Sequence, residues 1–200
     1  MAQNGTASRP VKDYELQFFN FSVTAQRAAL ANLLSNGFVA PSNNAAGWQE
    51  GAQILEVTTG LRLILSKGVS GGPAGWAGVG CVVNRYVSAG VIAANRYVRY
   101  TGNGIVAQNT VADGPCDGIA LHAAGDVGQY VHVLTSGRYY VVSNEVTTFG
   151  SYSSSDNAGR SIILNAPGVY MGRVEVPQLV IDTVTYDLVN FHGPVIGPAT

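Results

Sequence analysis

Charge is what this sequence has least of. Only 12% of its 200 residues are charged, about half the usual share, and lysine occurs just at Lys12 and Lys67. A freely diffusing monomer is ordinarily kept apart from its neighbours by many surface charges. With so few, the exterior is neutral and suits lasting burial against other proteins. The net charge of -1 also lacks the electrostatic footprint that phosphate backbones attract. The arginines are scattered. The nearest thing to a cluster, Arg96 with Arg99, points to opposite faces of a strand. Nucleic acid is disfavoured as a partner.

Cysteine is nearly absent too. Cys81 and Cys116 form no CxxC pair; they could bridge, but two cysteines do not make a disulfide framework, and buried free thiols are expected. No apolar run approaches a membrane-spanning length, since Ile54 to Leu65 is broken by Glu56, Thr58, Thr59, Gly60 and Arg62. The opening Met-Ala-Gln-Asn-Gly-Thr shows no basic stretch followed by an apolar one, so no signal peptide is visible. The expectation is a soluble chain made in a cytoplasm, with no membrane partner.

Constellations for chemistry are missing as well. His122, His132 and His192 have no second ligand at zinc spacing. His122 is expected to reach solvent, and His132, alternating with Val131 and Val133, to face outward. Gly68-Val69-Ser70-Gly71-Gly72 has the G-x-S-x-G spelling of a nucleophile elbow, but it lies in a glycine-rich loop. Lys67-Gly68-Val69-Ser70-Gly71-Gly72 lacks the order of a phosphate loop and reads as a flexible loop. The carboxylates are dispersed, with Asp113 and Asp117 flanking Pro115 and Cys116. Ser151 to Asp156 has hydroxyls but one carboxylate, too few for calcium, and reads as a turn. The chain is therefore expected not to be an enzyme and to use no metal and no cofactor.

What the sequence does hold is glycine, 25 residues of it, and short alternating apolar runs. Residues 1 to 50 read as an N-terminal arm. Within it lie a polar stretch to Pro10, an aromatic strip, and one short helix from a Thr24 cap through Ala25 to Leu34, closed by Gly37. Pro41 to Gly47 reads as a linker. From residue 51 to 200 the pattern is strand and turn. Ile54–Thr58 and Leu61–Leu65 flank Thr59-Gly60 as a hairpin, and Gly68 to Gly80 is a glycine-rich loop. Strands are expected over 81–87, 96–100, 118–121, 130–134, 138–142, 161–164, 169–176 and 179–188. Short strands with glycine-rich turns argue for an all-β small barrel or sandwich. One internal echo stands out. A tight polar turn at Asn103-Gly104 returns as Gly118-Ile119-Ala120-Leu121, and a second at Asn157-Ala158-Gly159 returns as Gly172-Arg173-Val174. A duplicated half-barrel would produce this.

Within residues 89–176 the order of motifs is specific enough to compare. AGVIAANRYVRYTGNG (89–104) precedes Asp117-Gly118-Ile119-Ala120-Leu121. Then come Ala123-Ala124-Gly125-Asp126-Val127-Gly128-Gln129 and Val131-His132-Val133-Leu134-Thr135-Ser136-Gly137. This resembles the small β-barrel capsid cement (head decoration) proteins of tailed bacteriophages, in which a G-V-A-L strand, an A-A-A-G-E turn and a V-x-V-x-x-x-G strand recur. Gly159-Arg160 and Gly172-Arg173-Val174 are similar to that family's later part; residues 1–88 have no counterpart. The resemblance implies a virion protein on the outer capsid surface, with the major capsid protein as partner and self-association as a homotrimer.

Tyr14, Phe18, Phe19 and Phe21 form an apolar strip with too little sequence around it to bury itself, and such a strip marks an interaction site. They are the expected capsid-docking residues, and bridging of adjoining capsid subunits is the expected action. The alternative is a β-rich phage tail or receptor/carbohydrate-binding protein, with Trp48 and Trp76 in loops where a saccharide could stack.

Overall fold

Valine-rich runs at 82–87 and 131–133 favour strands, whose two faces meet different surroundings. In a computed structural model of the chain, the described residues are 80–112, 114–164, 168–181 and 183–196, with the backbone of four strands before them. These four are β1 (Leu16–Phe19), β2 (Gln53–Glu56), β3 (Leu61–Ser66) and β4 (Gly75–Gly78), a sheet in the order β1-β2-β3-β4. The 53–56 and 61–66 strands pair antiparallel, as the hairpin reading expects. β4 lies inside the stretch expected to be a loop, because Gly75–Gly78 pairs along β3 despite its glycines. The expected helix, the 41–47 linker, Tyr14 and Phe21 lie outside the described residues. No helix occurs among the described residues.

The main sheet contains β5 (Val82–Ser88), β6 (Arg96–Gly102), β7 (Ile105–Gln108), β8 (Gly118–Ala120), β9 (Tyr130–Val142), β10 (Tyr152–Ser155), β11 (Ser161–Ile163), β12 (Val169–Ile181) and β13 (Val184–Ile196). Its order is β11-β10-β12-β13-β9-β5-β7-β6-β8, and β8 pairs back onto β9. Strands β5, β7, β6, β8 and the first half of β9 therefore close into a five-stranded barrel. Closure removes the open edges at which strands aggregate. Ile92, Val98, Val106, Ala120, Ala124, Val131 and Val133 fill it as one buried cluster.

β9 is a single strand where two were expected, and it serves two rings. Its first half pairs β5, and from Gly137 onward it pairs β13. Gly137 sits at the handover with φ +117, and a Cβ there would lie 2.4 Å from Cys81 Sγ. Only glycine fits both demands.

The second half of β9 then runs with β13, β12, β10 and β11, and an isolated parallel bridge Ser143↔Ser161 closes this circuit. Its pairings repeat those of the first barrel. Ser88↔Val106 recurs as Ser143↔Ser161, and Tyr100↔Val106 as Ser155↔Ser161. Val98↔Gly118 recurs as Ser153↔Gly172, Ile119↔Leu134 as Arg173↔Asn190, and Val87↔Tyr130 as Val142↔Tyr186. The echo in the sequence is thus the trace of a tandem unit of one topology, with β9 shared between the copies. Ser151 to Asp156, read as a turn, contains strand β10. β12 runs to Ile181 and β13 starts at Val184, so the last hairpin does not turn before 179. Pro177 stays within β12, where Gln178 takes up φ +54 and the register slips as a bulge.

The interiors of the two copies differ. Val98, Val106, Ile92 and Val131 of the first correspond in register to Ser153, Ser161, Thr147 and Asp187 of the second, all buried. Tyr97 explains part of this. It leaves the first barrel and packs in the second, its ring 6.1 Å from Phe191 and its hydroxyl 2.6 Å from Ser153 Oγ, which lies 2.9 Å from Ser161 Oγ. Serines in place of valines make room for the phenol and satisfy its hydroxyl, as a buried polar group requires.

Candidate docking surface

Two of the three histidines are withdrawn from solvent. His122 and His132 are both buried, which corrects the expectation that His122 reaches solvent; His132 does face out from the barrel, but it is covered. The stretch after β8 runs alongside β9, where the Leu121 N–H donates to the His132 carbonyl, and His122 is laid over the outer side of the strand. His122 Nε2 accepts from the His132 backbone N–H at 3.0 Å and lies 3.2 Å from His132 Nδ1. His122 Nδ1, 3.1 Å from the Ala123 carbonyl, is then the protonated nitrogen. Burial lowers both pKa values, and for His132 the neighbouring His122 and Arg85 lower it further.

The sign of the resulting pH dependence follows. Unfolded histidines titrate near about pH 6.5, and the folded pair resists the proton. This contribution to stability is complete above that pH and is lost as pH falls from it toward the folded values. The denaturant midpoint is expected to drop between about pH 7.5 and about pH 5, and to drop less in a His122→Gln/His132→Gln variant. An equal slope in both proteins would contradict the role of the pair.

Both cysteines are free, as expected. Burial pushes the Cys116 thiol up to about 12, so it is no nucleophile at neutral pH. Among the described residues no cluster of His, Cys, Asp and Glu could hold a metal, and no helix is long and apolar enough to cross a membrane.

The surface offers something different. In the loop after β5, Val91 is 72% exposed, and in the loop between β8 and β9 Val127 is 66% exposed. Ile92 and Ala124 exchange backbone hydrogen bonds of 2.8 Å, and Gly128 N donates to Ser88 O at 2.8 Å, so these two loops form one rim of the barrel. In the loop after β9, Val146 is 76% and Phe149 79% exposed. Gln178 Nε2 donates to the Glu145 carbonyl at 2.7 Å. Thr147 Oγ1 donates to Asp187 Oδ1 at 2.5 Å. These bonds tie the loop to the β12–β13 hairpin, whose tip exposes Val180 and Val184. Side chains this apolar and this exposed mark interaction sites when they cluster.

None of these rim residues stood out in the sequence. The available signal was an apolar residue out of strand phase in a Gly, Ala, Asn and Thr loop. Of the expected docking strip, Phe18 and Phe19 lie on β1, in register with Leu55 and Glu56. Trp76 lies on β4 opposite Leu65, and Trp48 is outside the described residues. On the outer face of the second circuit, Arg173 lies 4.7 Å over the Tyr152 ring. Tyr152 meets Tyr170 at 4.4 Å, and Tyr170 meets His192 at 5.5 Å.

Over the described residues, fold and surface together define an all-β architecture built on a closed five-stranded barrel, with apolar rims. No family model matches the chain, and no curated protein matches it. A solved structure similar to part of it is the N base of the head fibre gp8.5 of bacteriophage phi29. It is 12% identical with a TM-score of 0.43, covering 58% of this chain and 99% of that one. A likeness at that level assigns no function.

Proposed function

We propose that this chain is a structural, non-catalytic protein of a tailed-phage virion, a capsid cement protein that sits on the outer surface of the head. It stabilises the shell by bridging major capsid proteins, and it acts as a homotrimer. The observation that carries the reading is the pair of exposed apolar rims on a protein with hardly any charge. A free solute gains nothing from such rims, whereas a protein held in a shell buries them. The motif order of residues 89–176, which resembles the cement family, supports the same reading, since these residues make up most of the closed barrel and reach into β12. A partner that binds only the assembled shell stabilises it by linkage, and trimerisation makes the second and third contacts effectively intramolecular.

The test is co-sedimentation with purified heads of the encoding phage that lack this protein. Saturable binding, with heads that then resist heat or chelation better, is the expected result; heads left bare at saturating protein would overturn it. Removing residues 1–21 is expected to leave a folded β-protein that decorates heads poorly. Normal occupancy by the truncated chain would remove the aromatic strip from the docking role. A second reading, a tail or receptor protein that binds a saccharide, is favoured by the Arg173, Tyr152, Tyr170 and His192 cluster. Specific binding on a glycan array, lost in Tyr170→Ala, would support it.

A further inference from the structure

The two rims are not independent features. The pairings that carry Ser88 onto Ser143 and Val106 onto Ser161 also carry Val91 onto Val146. Backbone bonds outside the strands confirm the equivalence. Ala89 N to Val106 O recurs as Asn144 N to Ser161 O, and Asn95 N to Ala120 O recurs as Gly150 N to Val174 O. In each copy the loop after the first strand lies beside the connection between the last two, and both present valine to solvent.

Both rims share one backbone fastening, Ser88 N to Gln129 O in the first and Ser143 N to Thr185 O in the second, but the further ties differ: Ser88 Oγ to the Asp126 carbonyl in the first, Gln178 and Asp187 side chains in the second. The interiors have changed from valine to serine and aspartate, yet the exposed valine is the same residue in both. Retaining an apolar side chain in solvent while the core around it changes gives nothing to folding. It makes sense as a surface kept for contact.

We infer that the two rims are quasi-equivalent docking sites, so that one chain engages two copies of the same partner protein. This rests on the capsid-docking reading and sharpens it, because a shell built of one repeated subunit offers two identical patches at fixed spacing. The chemistry of the patch follows from the rims. The 89–95 and 121–129 stretches hold one carboxylate, Asp126, the 144–150 and 178–185 stretches hold Glu145 and Asp182, and none of the four contains Lys or Arg. The complementary surface is apolar and flanked by basic side chains. A second copy of this chain, with rims of the same sign, is electrostatically the poorer occupant.

The experiment measures binding of the full chain to purified heads lacking it, with Val91→Asp, Val146→Asp and the double variant beside the wild type. Both positions are exposed, and unchanged thermal unfolding would establish that the variants fold. Losing one of two linked contacts is expected to weaken binding by about 100-fold or more. Each single variant should show this loss, the double should leave heads bare, and wild-type binding should weaken as salt rises.

A single variant that binds like the wild type would reduce the docking to one rim and overturn the proposal. Normal occupancy by the double variant would overturn it while leaving the capsid reading intact. Failure of the wild type itself to bind heads would remove both. Self-association in sedimentation velocity that disappears in the double variant would assign the rims to a second copy and contradict the inference.

Discussion

Tyr97→Ala is expected to lower the unfolding free energy by about 3–5 kcal/mol, the range for truncating a buried aromatic. The side chain is wholly buried and belongs by sequence to one barrel and by contact to the other. Its backbone does the same, since Tyr97 N donates to Gly159 O at 2.7 Å, and nearby Val142 N donates to Asn95 O at 3.0 Å. Removing the ring leaves a void in the second circuit and deprives Ser153 Oγ of its phenol partner. Against the roughly 5–15 kcal/mol that holds a domain together, this loss comes close to unfolding the chain. Tyr97→Phe separates the two effects. It keeps the ring and removes one hydrogen bond, at a cost of about 1 kcal/mol, because Ser153 retains Ser161. Guanidinium titration followed by circular dichroism reads both. A Tyr97→Ala protein as stable as Tyr97→Phe would show that the ring does not tie the copies together.

Gly172→Ala carries the second-largest effect, about 3 kcal/mol or more by overpacking. A Cβ at 172 would stand 2.1 Å from the Asn190 carbonyl oxygen and 2.8 Å from its carbon. That oxygen belongs to a paired strand and cannot retreat without breaking the ladder. Its register-equivalent Gly118 meets the same obstacle, with Val133 Cγ1 at 2.3 Å and Leu134 O at 2.6 Å. Gly118→Ala is expected to be similarly damaging. Gly90→Ala is the control. Nothing lies within 4 Å of a Cβ there, and a surface change of this kind stays within about 0.5 kcal/mol. Equal midpoints for Gly172→Ala and Gly90→Ala would contradict the close approach of β12 to β13.

The same two glycines show what was legible in the sequence. Gly118 and Gly172 were visible as the returns of two echoing turns, and the echo proved to be a repeated strand order. Most strand positions were readable as short apolar runs between glycine-rich turns, and at 131–133 the alternation also showed which face is buried. His132 is buried as well. Alternation places it on the outer face, and it is there, but His122 covers that face, which only tertiary packing decides. β10 was unreadable because Tyr152-Ser153-Ser154-Ser155 has a turn composition. Its serines are interior residues whose hydroxyls are satisfied by Tyr97, Ser161, Asn109 and the Val169 carbonyl. The rims were unreadable for a related reason. An isolated valine in a loop carries no period, and its exposure depends on the hydrogen bonds that hold the loop at the barrel's end.

Electron cryomicroscopy of heads decorated with the full chain tests the account most directly. It predicts ordered density on the outer shell in which the Val91 and Val146 rims of one chain rest on two different copies of the capsid subunit. Density at the tail, or a chain on the head with both valines facing solvent, would contradict it.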